Sequence, residues 1–216
     1  MMQADLCPPA EERRVLEVKL ERGQPVQAPG YGSLLATTSL GPPSLQRWCV
    51  WVEPAATSVP DRWEQRWLGG VRAAIKTWSA ELPLVQVTSP EQAHVVIKRR
   101  RPPRRRLAGG WRASNGRSQL QVVEVRRIGR WRLEPQVTVM VSPELRASVL
   151  QSTALHELGH AFGLWGHSPE AADVLAVHQG QSPVLELTQR DRATLNWMRK
   201  RETRFGQALN TSDSTN

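Results

Sequence analysis

Trp63, Trp67, Val71, Ala74, Ile75 and Trp78 return at the three- and four-residue intervals that place side chains on one face of an α-helix. Asp61 stands just ahead of this stripe as a candidate N-cap, and Leu82-Pro83 stops it. A second stripe runs through Leu145, Val149, Leu150, Ala154, Leu155, Leu158 and Phe162. Ser142-Pro143-Glu144 before it supplies a cap, a proline suited to the first turn and an acid that complements the helix dipole, so a helix is predicted to start there. Gly163 is placed to close that helix in the left-handed conformation. A last helix is predicted over about 188–201, with Leu195 and Met198 facing inward. Runs rich in β-branched and aromatic residues predict strands at 47–53, 84–88, 93–97, 119–125 and 136–141, with Gly129 marking a turn between the last two. Residues 11–21 predict a short helix, broken by Gly23 and Pro25.

These elements predict an α+β fold: a twisted mixed sheet packed on the first two helices, with a small C-terminal subdomain carrying the last helix. At 216 residues the chain suits one well-buried domain. The expected division is a flexible N-terminal extension over 1–30, a catalytic-size domain over 31–205 and a disordered tail over 206–216. Hydrophobic residues make up 39% and charged residues 23%, and no apolar run approaches the roughly 18 residues needed to span a bilayer. The first residues lack a basic segment followed by an apolar core, so no secretory signal is expected and a cytoplasmic location is the default, with export if the true start differs. Two cysteines, Cys7 and Cys49, are too few for a disulfide framework or a thiolate metal site, and are expected to be incidental thiols.

Net charge is +9, concentrated in Lys98-Arg99-Arg100-Arg101-Pro102-Pro103-Arg104-Arg105-Arg106. Such a run attracts nucleic acid or an acidic surface. Its two prolines prevent a basic helix and no aromatics interleave with the arginines, so a solvated loop is the first expectation and a nucleic-acid partner the lesser one.

The candidate chemistry lies on the second helix. His156 and His160 are four residues apart and project from one helical face, where two imidazole nitrogens reach a single zinc ion at about 2.0–2.1 Å. Glu157 follows the first of them and can take a proton from metal-activated water, then deliver it to a leaving amine. Two histidines hold zinc weakly. Gly163 lets the chain turn sharply out of the helix, so that His167 can swing back as the third ligand. His94, inside a predicted strand, is expected to be a core or surface residue, and His178 to line a pocket or face solvent.

The run His156-Glu157-Leu158-Gly159-His160-Ala161-Phe162-Gly163-Leu164-Trp165-Gly166-His167 resembles the zinc signature of the metzincin clan, H-E-x-x-H-x-x-G-x-x-H, and in particular its matrixin-like members. In the usual pattern the third histidine falls where Gly166 stands here, and His167 comes one position later, an ending similar to that of small bacterial matrixin-like peptidases. The clan's methionine turn would place methionine at 175, which is Leu175. Ala73-Ala74-Ile75-Lys76-Thr77-Trp78, Leu82-Pro83-Leu84 and Ala93-His94-Val95-Val96-Ile97 resemble the first helix and following strand of the same domain, at lower specificity. The resemblance implies a zinc metalloendopeptidase acting on protein or peptide, with Glu157 as general base and zinc on His156, His160 and His167. It also implies a sheet edge that takes substrate as an added strand, and a pocket wall formed by 178–187. Cys7, in Asp5-Leu6-Cys7-Pro8-Pro9, does not match the inhibitory P-R-C-G motif of matrixin proenzymes. The alternative expectation is a basic nucleic-acid or acidic-surface binding protein with a vestigial or structural zinc site.

Overall fold

Ten strands are present in the computed structural model, which describes residues 6–23, 26–107, 110–112, 114–177 and 182–209: β1 (Glu12–Leu16), β2 (Glu21–Arg22), β3 (Ala36–Thr37), β4 (Trp48–Val52), β5 (Leu84–Gln86), β6 (Val95–Arg99), β7 (Arg105–Leu107), β8 (Gly110–Arg112), β9 (Gly116–Arg127) and β10 (Arg130–Val141). Six of them form one mixed sheet in the order β1-β9-β10-β6-β4-β5. The β1, β9 and β10 neighbours are antiparallel, whereas β10, β6, β4 and β5 run parallel. With three α-helices, α1 (Arg62–Ser79), α2 (Ala147–Ala161) and α3 (Gln189–Arg199), this is a mixed α/β fold.

Parallel neighbours require a crossover, and α1 supplies the one between β4 and β5. Asp61 caps α1 by accepting from the N–H groups of Trp63 and Glu64, and Glu64 reaches back to the N–H of Asp61. Trp67, Val71, Ala74, Ile75 and Trp78 are buried, and two of these indoles settle their N–H on backbone: Trp67 on Val141 O at 3.1 Å and Trp78 on Leu155 O at 2.9 Å. The second bond ties α1 directly to α2. Trp63 leaves the stripe: it is exposed and carries the guanidinium groups of Arg62 and Arg66 on its ring.

Several expectations are corrected. The helix expected over residues 11–21 is instead strand β1, because its backbone groups pair in register with β9, from Glu12 opposite Arg126 to Leu16 opposite Val122. Helix α2 begins at Ala147 with no side-chain cap, because Ser142 is held at the end of β10 by its N–H bond to Asn115 O and cannot serve as one. The two runs expected at 119–125 and 136–141 are parts of one long hairpin, turned by Ile128 at φ 50° and Gly129 at φ 69°. Nor is the basic run one solvated loop. Lys98 and Arg99 complete β6, with Arg99 paired to Glu64 at 2.7 Å, and β7 takes up residues 105–107.

Cys7 and Cys49 are joined in a disulfide, buried at 1% and 2% exposure, and so are not incidental thiols. The pairing arises because the segment before β1 returns beside the start of β4, a contact across 42 residues of chain that spacing alone does not reveal. At the other end, Gly206 and Leu209 donate to Leu133 O and Trp131 O, so the chain stays against β10 past the tail boundary expected at 205. Residues 210–216 lie outside the described residues. No helix among the described residues is long and apolar enough to cross a membrane.

Candidate metal centre

Helix α2 ends in a Schellman motif: Leu164 N–H donates to Gly159 O, Gly163 N–H to His160 O, and Gly163 takes φ 108°. This turn sends the chain back across the helix, and one ring nitrogen from each of His156, His160 and His167 comes within 4.8 Å of the others. The three can hold a metal ion. His156 Nδ1 lies 2.8 Å from Val174 O and His160 Nδ1 lies 2.8 Å from Leu164 O. A carbonyl only accepts, so both Nδ1 atoms carry the proton and both Nε2 lone pairs are left for a metal. Burial pushes the His156 pKa down to about 4, with the His167 charge adding to it, and burial together with the neighbouring His156 charge pushes His160 to about 3. Burial also lowers His167. Neutral imidazoles with a defined tautomer are what metal ligation requires.

The residue before His167 is glycine for a physical reason. A Cβ on Gly166 would lie 2.5 Å from Leu34 O, so only glycine admits the backbone that crosses here, where Ala36 N–H donates to Trp165 O at 2.7 Å. Trp165 in turn stacks on His160, with ring centroids 5.7 Å apart and planes within 18°.

Past His167 the chain closes a tight turn: Ser168 N–H donates to Leu175 O at 2.7 Å and Val177 N–H to Ser168 O at 3.2 Å. The turn aims Val174 O at His156 and buries Leu175 fully beneath the helix, where its Cδ2 fills the space a Cβ on Gly159 would need. Leu175 thus supplies the apolar floor by packing. Two buried aspartates hold this turn. Asp173 accepts from Ser168 Oγ at 2.5 Å, Thr188 Oγ1 at 2.6 Å and Arg190 Nε at 3.0 Å. Asp191 accepts from Val174 N–H, Thr188 N–H and the Tyr31 hydroxyl. Burial works against the Asp173 carboxylate, but its hydrogen bonds outweigh that and hold its pKa below the usual range.

Asp173→Asn is therefore expected to cost about 2–3 kcal/mol at neutral pH, measured by urea unfolding. Because the folded-state pKa is depressed, the stabilisation is full above the unfolded value near 4 and is lost as pH falls through the folded value. The gap between variant and parent should accordingly narrow below about pH 4. A gap independent of pH would place the cost in packing.

Glu157 lines the same cleft, 8% exposed, and its Oε2 lies 2.8 Å from Ser118 Oγ. Burial pushes its carboxyl up to about 7, against the hydrogen bond from Ser118 and the Arg117 charge. The cleft has a volume of about 810 Å3, and among the described residues Glu157 is the only acidic one lining it. Leu34 and Val177, both exposed, give it apolar walls, and Arg22 and Arg117 give it positive charge.

His94 is elsewhere: buried, it accepts from Cys49 N–H at 3.0 Å through Nδ1 and faces Glu134 through Nε2 at 3.4 Å. His178, and with it the first part of the expected pocket wall at 178–187, lies outside the described residues. Ser118, Asp173 and Asp191 were not singled out from the sequence. Asp191 alone left a local signal, standing three residues after the capping Thr188. No protein-family model matches the chain, and no curated protein matches it in sequence.

Proposed function

We propose that this chain is a zinc-dependent endopeptidase of the matrixin-like, metzincin type. The observation that carries the reading is the convergence of His156, His160 and His167, two of them with the tautomer fixed by backbone carbonyls, beside a buried carboxylate on the same helix. Three imidazole donors with room for a further ligand suit catalytic zinc. Zinc, when bound, polarises a carbonyl and brings the pKa of water near 7. Glu157 then accepts the proton of the attacking water and returns it to the leaving nitrogen. Ser118 fixes which way that carboxylate points.

The sheet supports a peptide as substrate. β1 covers β9 only from Val122 onward, so among the described strands none pairs with residues 116–121 on that side. An extended peptide can add there as a strand, its side chains meeting Leu34 and Val177. Positive charge on Arg22 and Arg117 favours acidic residues in that peptide.

The deciding experiment measures bound metal by mass spectrometry together with cleavage of a mixed peptide library. About one zinc per chain is expected, with cleavage that stops on chelation and returns on adding zinc. Stoichiometric metal without any cleavage would favour the alternative, a basic binding protein with a structural metal site. A chain that takes up no metal would overturn both.

A further inference from the structure

A second cavity, of about 860 Å3, lies at the far end of the β9–β10 hairpin. Gly116 at the start of β9 packs on Glu157, while Arg127 at its end lines this cavity. The strand's 12 residues separate the two by roughly 35 Å.

Three of the stretches of chain that line it bring arginine. Arg130 and Arg132 alternate along β10 and so project from one face, Arg47 precedes β4, and Arg199 and Arg201 lie at the end of α3 and just past it. None of these five takes part in an ion pair among the described residues. Among the described residues the lining holds one acid, Glu134, which is already engaged by Arg127 and His94. Arg127 is 6% exposed and its Nη2 is buried without a hydrogen-bond partner. Arg132 and Arg199 each donate to a carbonyl, of Gly206 and Glu81, and Arg201 lies over Trp197, but none of the five has its charge neutralised by an acid among the described residues, so the cavity is matched by a ligand that concentrates negative charge.

The ligand class follows from size and lining. The volume is that of a small-molecule site. Among the described residues the one aromatic besides His94 in the lining, Phe205, is buried, so none of them stacks on a base as single-stranded nucleic acid requires. Guanidinium forks pair bidentately with phosphate oxygens. We propose that this cavity is a binding site for a compact anion carrying several phosphate groups, separate from the metal centre.

Titration calorimetry of the full chain with inorganic tripolyphosphate tests this. One ion per chain is expected to bind in 50 mM salt and to weaken at least tenfold in 300 mM salt. Protein freed of metal by chelation and dialysis should bind equally well, which separates the site from the metal centre and from the peptidase reading. Replacing Arg47→Ala and Arg130→Ala together, both exposed, should weaken binding at least tenfold while melting without ligand is unchanged. Absence of binding, binding that vanishes with the metal, or unaltered affinity in the double variant would overturn the proposal. So would tighter binding of a 20-nucleotide single strand than of tripolyphosphate. Should the double variant fail to fold, the stoichiometry and metal independence of the parent protein still decide.

Discussion

A Glu157→Gln chain is expected to bind as much metal as its parent and to hydrolyse peptide about 10^2- to 10^4-fold more slowly. Glutamine keeps the volume and still accepts from Ser118 Oγ, which reaches Glu157 Oε2 at 2.8 Å, so the three histidines are left undisturbed. What it loses is the capacity to take up a proton. Single-turnover cleavage and metal content, measured on the same preparation, check the two halves together. Loss of metal with loss of activity would mean that Glu157 supports the ligands and performs no chemistry. Undiminished cleavage would place the general base elsewhere.

Replacing Cys7 and Cys49 by serine is expected to lower stability by about 4 kcal/mol, the loop-closure entropy for a crosslink spanning 42 residues. In a chain of this length that corresponds to a fall in Tm of about 8–16 °C, read by calorimetry. Dithiothreitol under native conditions should act slowly, since the two sulfurs are buried at 1% and 2% exposure, and should reach the same endpoint. A Tm within a degree or two of the parent would show that sheet pairing of β1 already holds the N-terminal segment. Buried disulfides persist in oxidising compartments and are rare in the cytosol. Chain recovered from a reducing cytoplasm is therefore expected to melt at the lower temperature.

Local patterns carried much of this architecture. Asp61 and the tryptophan spacing marked α1 because capping and a 3.6-residue period are written in neighbouring residues, and the spacing of Leu195 and Met198 marked α3 by the same period. His156, Glu157, His160 and the turn at Gly163 were legible because one helix and its cap hold them all. What stayed hidden depends on contacts distant in sequence. The segment at 12–16 is a strand only because β9 lies beside it. Ser118 and Asp173 matter only through Glu157 and the turn under His156, neither of which their own neighbourhoods announce. Gly166 read as a one-residue departure from a motif, and the backbone of Leu34 pressed against it shows why the residue there is glycine.

That contact joins two things that would otherwise be independent. Leu34 is a wall of the cleft, and the residue it touches is the immediate neighbour of His167. If a ligand in the cleft shifted that wall and with it the chain carrying His167, it would change metal affinity, and metal loading would by reciprocity change the affinity of the cleft for that ligand by the same factor. Glycine at 166 is where the wall of the cleft meets the chain that carries His167.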